Sequence, residues 1–265
     1  MKLLSRSTLQ FSFAAVFAIA FAESVVSEVL VLGENDPSRA TSVQIMGDIT
    51  QADVSKVADA IQRSVAKDPS TGYDLLVKLN SNGGDIDAAI AIGRLLRGRS
   101  SLLIVPDGFS CASACVFVLC AGSQRIDGGG KVGIHRPYSV GSADKSVADA
   151  ASRYRAMAAR TREYLAEIGM PARLYEEMMR VPAEQIRWLT TREQEALGVL
   201  GIDPGYADAW DSRSAAAYGV SKQVWLQRKA RAVRECPMPP ASTPGNDPAY
   251  VKLFECRHAV YRGTK

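Results

Sequence analysis

Apolar runs of strand character alternate with segments of helical character between residues 42 and 135, and this alternation constrains the fold most. Strands are predicted at Ser42–Ile49, Tyr73–Leu79 and Leu102–Pro106, followed by a short strand over Gly133–His135. Helices are predicted between them, each with apolar residues at helical spacing, at Thr50–Ala66, Ile86–Leu96 and Ala112–Ala121. Strands and helices that alternate in this way predict a parallel α/β core.

Further helices are predicted beyond this core. Apolar spacing indicates helices at Ala143–Ile168, Ala172–Met179 and from Thr191 to Leu197. A separate amphipathic helix is predicted over Ser212–Arg234, and its basic end is read as a solvated helix face.

Composition narrows the classes of function. The 265 residues are 47% hydrophobic and 23% charged, which is typical of a globular protein and excludes wholesale disorder. A net charge of +4 is too small to indicate nucleic acid as a partner. The chain has two histidines, His135 and His258, so a multi-histidine metal site is not expected, and neither is a metal or another cofactor.

The N-terminus resembles an export signal. Lys2 and Arg6 precede an apolar run, Phe11–Ala22, which ends in the small-x-small pattern of a signal peptidase site. Twelve apolar residues are too few to cross a bilayer of about 30 Å as a helix. We therefore expect residues 1–22 to be removed and the mature chain to be periplasmic or secreted, with no stable membrane span; the alternative is an uncleaved membrane anchor.

Export allows disulfides among the five cysteines. Cys236 and Cys256 flank a proline-rich loop and could staple the C-terminal tail. Cys120 is predicted to be a small buried hydrophobe. The spacing leaves open whether Cys111 and Cys115 are buried in the same way or form a disulfide.

Three features could support chemistry together. Ser113 lies between a buried strand and a buried helix, where backbone N–H groups can hold an oxyanion, although a serine there is often only a helix cap. His135 lies at a strand end, and a strand–helix–strand passage could bring its imidazole to Ser113 as a general base. Gly83 and Gly84 form a turn that could supply a further N–H donor.

The order of these features resembles a known family. The segments LNSNGGDIDAAIAIGRLLR, SCASACVFVLCAG and KVGIHRP are similar to the proteolytic subunit of the Clp protease, ClpP, and its relatives in the ClpP/crotonase superfamily. The resemblance covers roughly residues 43–203 and implies a ββα superhelix, a peptide or protein substrate and a homo-oligomer, often a ring. It implies that Ser113 is the nucleophile, His135 the base, and the N–H groups of Gly84 and Ala114 the oxyanion hole.

The chain departs from the family pattern in two respects. The triad aspartate has no clear counterpart before Leu189; Glu184 is the nearest carboxylate and is predicted as the third catalytic residue, with Glu176 and Glu177 as rivals. An exported protein has no ATP supply, so degradation coupled to an ATP-driven unfoldase is not expected.

Other chemistries are less well supported. The glycines of Gly128–Gly133 match GxGxxG but precede a strand, so they are predicted to form a turn and not a dinucleotide site. Lys131 could pair with the serine in a Ser–Lys dyad, but it ranks below His135 because the Ile-His-x-Pro context is the better match. Crotonase-type acyl-thioester chemistry needs a nucleotide-binding cleft, and no basic residues are placed to indicate one.

The sequence thus predicts an α/β protein of ClpP/crotonase type with a C-terminal helical extension. The predicted parts are a signal peptide (1–22), a ClpP-like domain (23–203) and a helical tail with a disulfide (204–265). The predicted function is that of an exported, ATP-independent serine peptidase. The alternative is a non-catalytic scaffold or interaction protein with the same fold, since a fold does not by itself imply a function.

Overall fold

A computed structural model describes residues 27–32, 41–63, 74–138, 146–239 and 247–264. The predicted signal segment Phe11–Ala22 lies outside the described residues. No described helix is both long and apolar enough to cross a membrane.

The described residues form strands and helices in close alternation. The strands are β1 (Glu28–Leu32), β2 (Thr41–Met46), β3 (Leu75–Asn80), β4 (Ser101–Pro106), β5 (Ser110–Ala112), β6 (Gln124–Gly128), β7 (Lys131–Ile134), β8 (Arg187–Leu189) and β9 (Gly201–Ile202). The helices are α1 (Gln51–Arg63), α2 (Ile86–Arg97), α3 (Cys115–Cys120), α4 (Val147–Glu167), α5 (Ala172–Arg180), α6 (Thr191–Ala196), α7 (Pro204–Ala217), α8 (Lys222–Glu235) and α9 (Pro248–Arg262).

The larger sheet has six strands in the order β1-β2-β3-β4-β6-β9. Strands β2, β3, β4 and β6 are mutually parallel, and β1 and β9 pair antiparallel at the two edges. Parallel neighbours need a crossover between them, and α1, α2 and α3 supply it in turn. The predicted α/β fold is therefore confirmed.

A smaller sheet supports the candidate site. Its order is β5-β7-β8, with β5 and β7 parallel and β8 antiparallel to β7. A bridge between Ser81 and Cys111 joins it to the end of β3, because Ser81 N–H donates to Ser110 C=O at 2.8 Å. The ends of β3, β5 and β7 therefore meet at one place.

Local sequence sets the first residue of α2, whereas strand pairing sets the first residue of α3; both helices lie next to this place. Asp85 caps α2 and accepts a hydrogen bond from Ala88 N–H at 2.8 Å, as predicted from an acidic residue before an apolar run. Helix α3 is entirely buried, as predicted, but begins at Cys115 and not at Ala112. The reason is tertiary: Ala112 is part of β5 and pairs with β7.

Strand β6 was not expected, because the sequence indicated only a glycine turn there. The turn itself is confirmed between β6 and β7, at Gly129 and Gly130. A side chain at Gly130 would lie 2.4 Å from the Pro106 carbonyl oxygen, so this glycine allows close backbone packing. The residues of β6 are mostly polar, so the sequence lacks the hydrophobic pattern of a strand there. The pairing with β4 defines the strand.

The C-terminal region is three helices, not the single helix predicted over Ser212–Arg234. Gly219, with φ 64°, separates α7 from α8, and the Ser221 side chain accepts a hydrogen bond from Val224 N–H to cap α8. Helices α8 and α9 enclose a small core of their own, and the predicted Cys236–Cys256 disulfide joins them. The basic end of α8 is partly paired: Lys229 contacts Asp211 at 2.7 Å.

Candidate active site

Ser113 lies in a tight turn between β5 and α3. Its φ of 55° is in the left-handed region, and no other described non-glycine residue has a positive φ. The Ser113 N–H donates to the Gly133 carbonyl at 3.1 Å, which ties the turn to β7. The hydroxyl is half-buried and makes no hydrogen bond to another described residue. Left-handed backbone costs energy at a non-glycine residue, and such strain is common at functional sites.

A disulfide encloses this turn. Cys111 and Cys115, which the spacing had left open, are bonded to each other, and both are fully buried. Cys120 is the buried free thiol that was predicted. Desolvation raises the pKa of Cys120 to about 12, so this thiol stays protonated.

Gly83 and Gly84 face the serine turn from the end of β3. The Gly83 carbonyl accepts a hydrogen bond from Ile49 N–H at 2.7 Å. Because the peptide group is planar and trans, the N–H of Gly84 points in the opposite direction, away from Ile49. This N–H has no acceptor among the described residues, so it is available to a bound molecule. Glycine is required here, since a side chain would lie 2.3 Å from the Ile49 carbonyl oxygen.

The second predicted oxyanion donor, the N–H of Ala114, lies beside Gly83. A side chain built at Gly83 would be 3.1 Å from the Ala114 nitrogen and 3.1 Å from Ser113 Oγ. Within the described part of the chain the Ala114 N–H also lacks an acceptor. The glycine turn and the serine turn are therefore in van der Waals contact, with unpaired N–H groups on both.

His135 directly follows β7 and is 6% exposed. Its Nδ1 is 2.9 Å from the Arg136 carbonyl oxygen. A carbonyl can only accept, so Nδ1 donates in this contact, and a neutral ring held in this way has its lone pair on Nε2. The Tyr138 ring lies against the imidazole, with 5.5 Å between centroids. His135 thus has the tautomer that a general base requires.

One cavity of about 900 Å³ brings four of the five predicted site residues together, whereas Ala114 is buried and is not among the described residues that line it. Ser113, His135 and Gly84 line it, as does Glu184. Ser113 and His135 share the cavity but are not hydrogen-bonded to each other. The open cleft expected beside a working serine is present.

None of the described carboxylates is hydrogen-bonded to His135, as the acid of a catalytic triad would be. Glu184 is exposed and makes no hydrogen bond to His135 or to any other described residue, so its role as the third catalytic residue stays a prediction. Glu177, one of its rivals, pairs with Arg187 at 2.6 Å and with Arg180. The hydrogen bond from Arg187 lowers the pKa of Glu177, so this carboxylate is committed to a structural ion-pair cluster.

Comparison with known proteins identifies the family. The family model described as Clp protease matches residues 35–200, well over half of the chain. The chain belongs to the Clp protease family.

Two solved structures are similar at low sequence identity. A mutant of ClpP1 from Listeria monocytogenes is 19% identical with a TM-score of 0.46, and the match covers 60% of this chain and 88% of that one. A mutant of the 1510-N membrane-bound stomatin-specific protease is 21% identical with a TM-score of 0.43, covering 64% and 83%. No curated protein matches the chain.

Compared with what the sequence alone predicted, this Clp-family site has additional basic residues. Arg153 and Arg160 of α4 line the cavity, although the sequence had indicated no basic residues placed for a nucleotide-binding cleft. Arg160 donates two hydrogen bonds to Asp87, at 3.0 and 3.2 Å. Because these partners are 73 positions apart, no local pattern could have indicated the pair.

The cavity also contains more carboxylates than the sequence analysis had assigned to it. Asp48 and Asp85 line it in addition to Asp87 and Glu184. Lys131, considered as a partner for the serine, is exposed on β7 and is not among the described residues that line the cavity. Within the described ranges no group of His, Cys, Asp and Glu side chains could hold a metal ion.

Proposed function

We propose that the protein is an exported serine peptidase of the Clp protease family that acts without ATP. The observation that carries this proposal is the shared cavity, which Ser113, His135 and Gly84 all line. A nucleophile, a base and an oxyanion donor at one cleft are what acyl transfer requires.

In the proposed reaction, Ser113 Oγ attacks the carbonyl carbon of a peptide bond while His135 Nε2 takes the hydroxyl proton. The carbonyl oxygen becomes an oxyanion and accepts hydrogen bonds from the N–H groups of Gly84 and Ala114. His135 then gives its proton to the leaving amine, and water hydrolyses the acyl-enzyme by the same steps. The Arg136 carbonyl keeps Nδ1 protonated, a part that a triad carboxylate otherwise plays.

Export is supported by two independent features. The apolar run Phe11–Ala22 has the form of a cleavable signal, and disulfides such as Cys111–Cys115 and Cys236–Cys256 persist in oxidising compartments. Since such compartments lack ATP, the proposed enzyme acts on peptide or protein substrates without an unfoldase. A homo-oligomer is proposed from the family resemblance.

One observation favours the second candidate, a non-catalytic scaffold. Among the described contacts, His135 bonds neither Ser113 nor a carboxylate. Catalytic hydrogen bonds are often long without substrate and tighten when it binds, so this geometry does not exclude the peptidase. The open cavity and the left-handed Ser113 favour the peptidase.

Fluorophosphonate labelling of the purified mature protein tests the proposal, because the probe reacts only with a serine activated by its surroundings. Labelling should be lost in Ser113→Ala and His135→Ala. The matched controls are Ser55→Ala, an exposed serine of α1, and His258→Ala, the other histidine of the chain; both should label like the wild type. A folded wild type that does not label would favour the scaffold.

Export and peptidase activity need separate measurements. The mature protein isolated from its own compartment should begin at Glu23 by N-terminal sequencing. A mixed peptide library incubated with the enzyme should show new amino termini by mass spectrometry, absent with Ser113→Ala. Labelling without peptide cleavage would indicate a hydrolase for another acyl substrate.

A further inference from the structure

The turn that presents Ser113 is closed into a small loop by the Cys111–Cys115 disulfide, with a sequence separation of 4. Ser113 is the middle residue of this loop and has a φ of 55°. For a non-glycine residue this conformation is disfavoured against ordinary helical backbone, on the order of tenfold. The loop therefore keeps a conformation that its residues would leave if they were free.

The two ends of the loop belong to different elements. Cys111 lies in β5, opposite Val132 of β7, and Cys115 is the first residue of α3. The disulfide thus fixes the distance between the end of a strand and the start of a helix. Besides this bond, two backbone hydrogen bonds restrain Ser113: its N–H donates to the Gly133 carbonyl at 3.1 Å, and its carbonyl accepts from Val116 N–H at 3.0 Å.

The loop is too short for its disulfide to stabilise the whole fold strongly. A disulfide stabilises mainly by restricting the unfolded chain, and this effect grows with the length of the loop that it closes. The Cys236–Cys256 disulfide closes a longer loop, with a separation of 20, and lies in the separate core of α8 and α9. The two disulfides therefore form a natural pair for comparison, one at the candidate nucleophile and one remote from it.

We propose that the Cys111–Cys115 disulfide positions Ser113 for catalysis, so that the peptidase becomes fully active only after this bond has formed. The proposal rests on the proposed function. Before oxidation the two thiols leave the turn free to relax, and Ser113 moves away from the N–H groups of Gly84 and Ala114. Activity would then be restricted to the oxidising compartment into which the chain is exported.

The activating step is a thiol–disulfide exchange. An oxidised disulfide of the compartment, either a small molecule or an oxidoreductase, accepts two electrons and two protons and leaves as two thiols. The two cysteine thiols lose the same electrons and protons and form one sulfur–sulfur bond. Cys120 does not compete in this exchange, because it is fully buried and its thiol stays protonated.

The test compares the mature double variant Cys111→Ala/Cys115→Ala with Cys236→Ala/Cys256→Ala. We expect the first to label with fluorophosphonate about tenfold more slowly, the size of the backbone preference that the disulfide overcomes. On a cleaved peptide its kcat should fall by a similar factor with KM unchanged. The second variant should label at the wild-type rate although its melting temperature is lower.

Single variants separate positioning from packing. Cys111→Ala and Cys115→Ala each break the same bond, so each should slow labelling as much as the double variant does; independent losses of packing would add. A second arm uses mature protein made in a reducing cytosol, which should label slowly and become about tenfold faster with oxidised glutathione, except in the double variant.

Three results would overturn this inference and leave the proposed function intact. They are equal labelling rates of the wild type and the Cys111–Cys115 variants, losses in labelling rate of the two single variants that add up to that of the double variant, or an equal slowing in Cys236→Ala/Cys256→Ala. A wild type that never labels would instead refute the proposed function, and the inference with it, because no nucleophile would remain to be positioned.

Discussion

A methyl group at residue 83 should act on the nucleophile directly. A Cβ atom built at Gly83 lies 2.7 Å from Ser113 Cβ, whereas carbon atoms in contact are about 3.5–4.0 Å apart. In Gly83→Ala the serine must therefore move by about 1 Å, which in an active site costs about 100-fold in rate. The φ of 117° at Gly83 adds about 1–3 kcal/mol of backbone strain to the free energy of folding.

A second glycine separates strain from displacement. Gly108 also has a positive φ, 78°, but a side chain built there meets no atom within 4 Å. Gly108→Ala should lose about 1–2 kcal/mol of stability, which for a chain of this size lowers the melting temperature by about 2–4 °C per kcal/mol. Its Ser113 should keep the wild-type labelling rate, because nothing pushes the serine.

The assay measures the second-order rate of fluorophosphonate labelling and the melting temperature of both variants beside the wild type. We expect both to be destabilised and only Gly83→Ala to label about 100-fold more slowly. A folded Gly83→Ala protein that labels at the wild-type rate would refute the reasoning, since the serine turn would then not be held against Gly83.

Three further predictions concern the base, the core and the surface. Glu184→Gln should lower the labelling rate less than about tenfold, because a backbone carbonyl already holds His135 Nδ1; a loss near 10⁴-fold would establish the carboxylate as the third catalytic residue. Gly93→Ala should lose about 1–3 kcal/mol or more in denaturant unfolding, because its Cβ would lie 1.8 Å from the buried Tyr164 hydroxyl, and adding Tyr164→Phe should recover part of this loss. The pKa of Glu193 is lowered from 4.5 to about 2 by hydrogen bonds from the backbone and side chain of Thr190, which caps α6, and then from Arg187. The charge of Glu193 therefore stabilises the fold above pH 4.5. Thermal melts of Glu193→Gln and the wild type should therefore differ most near pH 7 and converge as the pH falls from 4.5 to about 2.

Local rules were enough for much of the candidate site. Paired glycines before a capped apolar helix predicted the turn at Gly83 and Gly84, and both have the positive φ that makes glycine necessary. The buried segment after Ser113 and the His135 context placed these two residues at the ends of neighbouring elements. The same kind of reasoning paired Cys236 with Cys256 across the loop of the tail.

Local rules failed where a residue's state depends on a distant partner. The polar strand β6 exists because it pairs with β4, and α3 starts late because β5 pairs with β7 first. The spacing of Cys111 and Cys115 suited either buried thiols or a disulfide, and the turn geometry between a strand and a helix brought the two sulfurs together.

By itself, then, the sequence determined the α/β class and the glycines of the site, because periodicity, helix capping and steric limits act over a few neighbouring residues, and its resemblance to the ClpP family indicated the candidate nucleophile and base. The tertiary structure decided what each of these groups faces. The Ser113 N–H is held by the Gly133 carbonyl of β7, and Arg160 reaches the cavity only through the packing of α4 beside α2. Such contacts join residues far apart in the chain, so packing and not local preference sets them.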